Sequence, residues 1–118
     1  MSLFEKIDTI CLQVYDVEQS SEWYQDVVGL KEVYKDRTYR ILSVENGGTP
    51  ITIEENKELI DSRHHTVYPI FFTKDITKAF THLKENGVTV GSLKRDGTNY
   101  FFDFFDLDHN KLQVCYWK

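Results

Sequence analysis

One short pattern occurs twice in this sequence, half a chain apart. In each copy an aspartate that follows an apolar stretch opens a segment and a glycine closes it: Asp16 and Gly29 in the first copy, Asp75 and Gly87 in the second. The distance between the copies is half of the 118-residue chain. A repeat of this length indicates two copies of one structural unit. Two such units packed about a pseudo-two-fold axis leave a cleft between them, where we expect the function to lie.

The apolar pattern of the first half predicts a strand, a helix and three more strands. Alternation from Ile7 to Val14 is typical of a strand, and Asp16 is a suitable N-cap for a helix over 17–28 that ends at Gly29. Further strands are predicted at about 31–36, 39–44 and 51–54.

The second half repeats this order. Residues 66–73 predict a strand, and an apolar stripe from Ile76 to Leu83 predicts a helix that stops at Gly87. Strands are then expected near 89–93, 99–105 and 111–117. The chain is therefore predicted to be a single domain of two βαβββ modules, at about 1–56 and 66–118, joined by a polar linker over 57–65 that contains His64 and His65.

Composition restricts the class of protein. Hydrophobic residues make up 41% of the chain, which is enough for a core. The net charge is −5, which argues against binding to duplex nucleic acid and suits a neutral or cationic small molecule. No apolar run is long enough for a membrane span, and the N-terminus has no signal-peptide pattern. Cys11 and Cys115 are expected to be reduced thiols in a cytoplasmic protein.

Two segments carry a resemblance to a known family. Val14 to Leu30, which includes Trp23-Tyr24-Gln25-Asp26, opens the first helix, and Phe105 to Gln113 forms a turn followed by a strand. Both resemble the vicinal oxygen chelate superfamily, which includes glyoxalase I, extradiol dioxygenases, and the fosfomycin- and bleomycin-resistance proteins. The resemblance implies an α+β fold in which two tandem βαβββ modules form an open, cupped mixed sheet with flanking helices. It also implies a homodimer.

Strand alternation, combined with the resemblance, selects the residues that face the cup. On the first strand Ile10, Leu12 and Val14 are expected to pack on the helix, so the alternate residues face inward. Where a strand is apolar on both sides, alternation does not select a face, and the inner face is the one that the resemblance implies. The predicted ligand-binding residues are Thr9, Cys11, Gln13, Thr52, Glu54, Phe71, Phe102, Gln113, Cys115 and Trp117.

The resemblance also implies four positions where metal-dependent relatives carry His or Glu ligands. These positions fall on Thr9, on Thr52 or Glu54, on Pro69, and on Gln113. Zn²⁺ and similar ions need several carboxylate or imidazole ligands that converge on one point. At most one carboxylate is present in this set, so we predict no metal and no other cofactor.

Without a metal there is no Lewis acid to polarise a carbonyl, so the sequence favours binding over glyoxalase or dioxygenase chemistry. The leading hypothesis is a metal-independent small-molecule-binding protein of the glyoxalase/bleomycin-resistance type. The alternative is a lyase or isomerase acting on a small organic substrate, with Glu54 as a general base or Cys11 as a nucleophile. A third hypothesis is an interaction module whose cup is filled by its own aromatic side chains. A catalytic role for the histidines is not favoured, and His109 is expected in a strained turn conformation.

Overall fold

The computed structural model describes residues 2–59 and 67–118. The chain divides into two compact units, Met1–Ile60 and Asp61–Lys118. Each unit has one helix and one open four-stranded sheet, in the order strand, helix, strand, strand, strand. The α+β fold of two βαβββ modules is thus confirmed. His64, His65 and most of the predicted linker lie outside the described residues.

In the first module, strand β1 is followed by helix α1 and three consecutive strands. The sheet has the order β1-β4-β3-β2, in which β1 and β4 are parallel and the other pairs antiparallel. The elements are β1 (Ile10–Val14), α1 (Val17–Trp23), β2 (Lys31–Lys35), β3 (Tyr39–Ser43) and β4 (Ile51–Glu55).

Local signals fix both ends of the first helix. The Asp16 carboxylate accepts a hydrogen bond from the backbone N–H of Gln19 at 3.0 Å, as expected of an N-cap. After α1 the helix continues as a π-helical turn over Tyr24–Val28. It ends at Gly29, whose φ of +85° lies in the left-handed region that glycine adopts at no steric cost.

The helix-facing layer of this module combines apolar side chains with one ion pair. Tyr24, Leu42 and Ile53 are completely buried. Arg40 is also buried, and its Nε lies 2.8 Å from the Glu32 carboxylate. The hydroxyl of Ser21, on α1, donates to the same carboxylate at 3.2 Å.

The second module has the same topology. Its sheet has the order β5-β8-β7-β6, with β5 and β8 parallel. The elements are β5 (Ile70–Phe72), α2 (Ile76–Glu85), β6 (Lys94–Asp96), β7 (Asn99–Phe105) and β8 (Lys111–Trp117). Asp75 caps α2 through the backbone N–H of Lys78 at 3.0 Å, the counterpart of the Asp16 cap. Over the described residues neither helix is long and apolar enough to cross a membrane.

One predicted strand of this module is wrong. The sequence placed a strand near 89–93, but there only Val90 forms a bridge, to Phe104, and the hairpin strand that pairs with β7 is β6, at Lys94–Asp96. Gly91 lies against β7, where a Cβ would be 3.7 Å from that of Asp103. The pairing with β7 therefore decides where the strand forms.

The helix-facing layer of the second module is aromatic. Phe102 and Phe104 are each 1% exposed. The ring of Phe80, on α2, meets that of Phe102 edge-on with centroids 5.1 Å apart, and Phe71 lies 6.4 Å from Phe104. Geometries of this kind are favourable for aromatic pairs.

Candidate functional site

The first sheet has one face packed under α1 and one face turned away from it, which we call the first open face. Cys11 pairs with Thr52 across the sheet and Gln13 pairs with Glu54, so their side chains share a face. Their neighbours Leu12 and Val14 are buried on the other side. Thr9 joins the first open face, because its hydroxyl contacts that of Thr52. The structure thus groups all five residues that alternation selected in this module, and their role in binding stays a prediction.

The polar groups of the first open face bind one another in two sets. The hydroxyls of Thr9 and Thr52 are 2.7 Å apart, and that of Thr9 also lies 3.1 Å from the carbonyl oxygen of Pro50. The Gln13 amide donates to Glu54 over 3.4 Å and accepts from the Asn56 amide at 2.9 Å. The threonine pair is satisfied locally, whereas the Glu54 carboxylate receives one long hydrogen bond from Gln13.

Two tyrosines on the first open face were missed by sequence reasoning. Tyr39 pairs directly with Glu54, and the rings of Tyr34 and Tyr39 stack with centroids 5.5 Å apart. The register of β2 shifts between Glu32 and Tyr34, so that Glu32 faces the helix while Tyr34 pairs with Ile41 on the open side. Strict alternation would put both residues on one face, and only a bulge separates them.

Cys11 is an exposed thiol with a reduced tendency to ionise. Partial burial of the sulfur and the nearby Glu54 carboxylate both raise the pKa of the Cys11 thiol, burial being the larger cause. A raised pKa lowers the thiolate fraction at neutral pH, and the thiolate is the nucleophile. The surroundings of Cys11 therefore oppose the nucleophilic role that the enzyme hypothesis gave it.

In the second module the predicted site residues divide between the two faces of the sheet. Gln113 pairs with Ile70, and Cys115 pairs with Phe72 on β5 and Phe101 on β7. These side chains, with Trp117, form the second open face, turned away from α2; the ring of Phe72 lies 5.1 Å from that of Trp117.

Phe71 and Phe102 lie on the helix-facing side of the sheet, so the prediction that they share a face with Gln113 and Cys115 is wrong. Both pair with Val114, which is buried. Phe102 packs against Phe80 of α2 and is 1% exposed. The residues that alternate with them, Phe72 and Phe101, lie on the second open face together with Trp117.

A polar cluster surrounds Gln113 on the second open face. The Gln113 amide donates to the Asp103 carboxylate at 2.9 Å, and the Lys111 ammonium lies 3.7 Å from the same carboxylate. The ammonium also lies 4.1 Å from the centre of the Tyr68 ring, within the range of a cation–π interaction. Pro69, the expected third ligand position, is buried, and its neighbour Tyr68 contacts Lys111 of the cluster.

The four positions expected from metal-dependent relatives do not form a metal-ligand set. Two of them, Thr9 and Thr52, are hydroxyls that bond each other, and Gln113 is an amide bonded to Asp103. Zn²⁺ and related ions prefer imidazole, thiolate or carboxylate ligands, so this set does not fit such an ion. Across residues 2–59 and 67–118, no group of three or more His, Cys, Asp or Glu side chains could hold one.

Two tandem βαβββ modules, each an open mixed sheet with one helix, define the class of protein. The chain belongs to the glyoxalase/bleomycin resistance protein/dioxygenase superfamily, whose family model matches residues 6–114. It has no significant sequence match among curated proteins.

Solved structures of the same fold include proteins of different functions. The antibiotic binding protein TnmS3 from Streptomyces sp. CB03234 has a TM-score of 0.85 at 15% identity, with 100% of both chains covered. The fosfomycin resistance protein FosX from Listeria monocytogenes has a TM-score of 0.81 at 17% identity, with 98% of this chain and 96% of that chain covered. A lactoylglutathione lyase from Agrobacterium tumefaciens has a TM-score of 0.77 at 17% identity, with coverage of 98% and 96%. At these identities the likeness establishes the fold, and a shared fold does not fix the activity.

Proposed function

We propose that this protein binds a small organic molecule on its open sheet faces without a metal ion. The observation that carries the proposal is the contact of 2.7 Å between the hydroxyls of Thr9 and Thr52, which stand at two of the positions where metal-dependent relatives carry ligands. One hydroxyl donates to the other, the Thr9 hydroxyl also lies 3.1 Å from the Pro50 carbonyl oxygen, and neither has a negative charge to offer a cation. Among proteins of the same fold, TnmS3 is described as an antibiotic binding protein, which supports a binding role.

The enzyme alternative, a lyase or isomerase, has weaker support. Glu54 is exposed, so it lacks the dry surroundings that enzymes use to tune a carboxylate as a base. Burial and Glu54 raise the pKa of the Cys11 thiol, which opposes its use as a nucleophile.

The homodimer and the cytoplasmic location expected from the sequence are part of this proposal. Cys11 and Cys115 are both free thiols, which supports a reducing compartment. Light scattering on the purified protein measures the oligomeric state; a single species with the mass of one chain would contradict the dimer.

Thermal unfolding in the presence of ligands tests the proposed function. The purified protein is unfolded with a panel of neutral, cationic and anionic aromatic compounds, each with and without EDTA. We expect members of the panel to raise the unfolding temperature equally in both conditions, since a ligand that binds only the folded state stabilises it. Stoichiometric metal in the purified protein, together with ligand shifts that EDTA abolishes, would contradict metal independence.

A pair of bulky substitutions locates the binding surface. Thr52→Tyr places a large ring in the middle of the first open face, whereas Gln19→Tyr places the same ring on the exposed side of α1. We expect Thr52→Tyr to abolish the ligand-induced shift and Gln19→Tyr to leave it unchanged. Equal ligand-induced shifts in both variants would show that the ligand does not bind on the first open face. The unfolding temperature without ligand shows that each variant is folded.

A further inference from the structure

A row of three side chains crosses the first open face and combines aromatic, acidic and amide groups. Tyr39 of β3 pairs with Glu54 of β4, and Glu54 pairs with Gln13 of β1. Directly opposed residues in a sheet have Cβ atoms about 5 Å apart, so the three groups form a continuous strip. Asn56 fixes the Gln13 end of this strip by donating to the Gln13 side chain at 2.9 Å.

The bulge in β2 adds a second ring to the strip. It turns Tyr34 to the open face, where the ring stacks on Tyr39 at an interplanar angle of 27°. Tyr34 stays 47% exposed, so the pair presents a large aromatic surface to solvent. Bulges of this kind commonly re-aim a side chain next to a functional site. The hydrogen bond between the two side chains raises the pKa of the Tyr39 phenol.

Within residues 2–59 and 67–118, no cationic side chain pairs with the carboxylate in this strip. Two cations of this module pair with other carboxylates: Lys57 lies 3.0 Å from Glu55, and Arg40 pairs with Glu32 on the opposite side of the sheet. No Lys or Arg of the described segments forms an ion pair with Glu54. The charge of Glu54 acts on its surroundings, because it contributes to the raised pKa of Cys11.

We propose that Tyr34, Tyr39, Glu54 and Gln13 form a binding site for a planar aromatic cation. This inference rests on the proposed function and narrows its ligand class. The ring system of the ligand stacks on the tyrosine pair, a geometry that aromatic rings favour. Its cationic nitrogen, an amine or amidine, donates to the Glu54 carboxylate in a charge-assisted hydrogen bond. The Gln13 side chain, held by Asn56, keeps the carboxylate in place.

Three tricyclic probes of nearly the same shape test this ligand class. At pH 7.5, 9-aminoacridine is a cation, acridine is neutral and acridine-9-carboxylate is an anion. Titration followed by probe fluorescence gives their dissociation constants. We expect the cation to bind most tightly and the anion most weakly, with the preference for the cation decreasing as salt is added.

Substitutions assign the preference to the named side chains. Glu54→Gln removes the charge of the side chain but keeps its shape. We expect it to raise the dissociation constant of the 9-aminoacridine cation about tenfold and to leave that of acridine unchanged. Tyr34→Leu removes the exposed ring and should weaken the binding of all three probes. Glu45→Gln is the matched control, because Glu45 is an exposed carboxylate in the turn after β3, and it should change nothing.

The outcomes separate this inference from the proposed function. If acridine-9-carboxylate binds as tightly as 9-aminoacridine, or if Glu54→Gln leaves the cation unaffected, the ligand class is wrong while small-molecule binding stands. If the probes do not bind but other members of the thermal panel do, the ligand class is again wrong and the proposed function survives. If neither the probes nor any panel compound binds, both fail.

Discussion

In the first module α1 packs over a layer that contains the Arg40–Glu32 ion pair, whereas in the second module α2 packs over the rings of Phe102 and Phe104. The topology of the two modules is nevertheless the same, and both helices begin at an aspartate cap. Strand period, helix caps and turns therefore specify this fold, and the chemistry of the buried layer is free to differ.

The open faces differ as well. On the second open face the charges are paired, since Lys111 lies 3.7 Å from Asp103. On the first open face the hydrogen bond that the described residues offer the Glu54 carboxylate is the long one from Gln13. The Asp103 carboxylate of the second open face thus has a cationic partner, whereas we propose that Glu54 of the first open face binds a cationic ligand. Four predictions use these contrasts.

The largest expected effect is in the aromatic layer of the second module. Phe102→Ala removes a ring that is 1% exposed, and we expect it to lower the free energy of unfolding by about 3–5 kcal/mol in urea titrations. Phe101 is the neighbouring residue on the second open face and is half-exposed, so Phe101→Ala is the control. It should lower the free energy of unfolding clearly less. Equal losses at the two positions would show that the two faces of β7 have been assigned incorrectly.

The ion pair of the first module should give the next largest effect. Glu32→Gln leaves the Arg40 guanidinium, 6% exposed, without its counter-ion. We expect a loss of about 2–3 kcal/mol, below the full cost of breaking a buried pair because Glu32 is partly exposed. The matched control is Glu54→Gln on the first open face, where a change within about 0.5 kcal/mol is expected. If Glu32→Gln leaves the free energy of unfolding unchanged, the ion pair contributes no stability.

The two open faces carry one thiol each, so the alkylation rates of the two thiols can be compared. Cys11 is exposed and Cys115 is buried, so at pH 8 iodoacetamide should alkylate Cys11 about tenfold faster. Because Glu54 helps to raise the pKa of Cys11, Glu54→Gln should lower that pKa and increase the thiolate fraction below it. The expected acceleration is about twofold, since charges near water interact weakly. Mass spectrometry of the labelled peptides measures both rates, with Glu45→Gln as the control; an unchanged rate in Glu54→Gln would contradict the electrostatic link.

Local sequence signals predicted most of the fold. The two helices, their aspartate caps and strands β7 and β8 follow from hydrophobic period and end signals, which depend on neighbouring residues alone. The strand expected near 89–93 failed because pairing with β7, a long-range contact, selects Lys94–Asp96 instead. A single sequence contains no direct record of that register.

The candidate site was predictable where only one side of a strand is apolar. Cys11 and Gln13 were grouped with Thr52 and Glu54 because their neighbours form an apolar set that must be buried. The same argument fails for 99–105, where both faces are rich in aromatic residues, so Phe102 was placed on the wrong side. Tyr34 was missed for a third reason: the bulge that turns it has no residue signature in β2.

The smallest expected effect compares the turns that precede the last strand of each module. The turn before β4 places Gly47 and Gly48 at φ of +85° and +89°, whereas the turn before β8 places His109 at +65°. A side chain in the left-handed region is strained, so His109→Gly should raise the free energy of unfolding by about 0.5–1 kcal/mol. Asp108→Gly, one residue earlier and without a positive φ, is the control and should lower it. If urea titration shows that His109→Gly destabilises the protein, the histidine side chain must contribute more to this turn than its backbone strain costs.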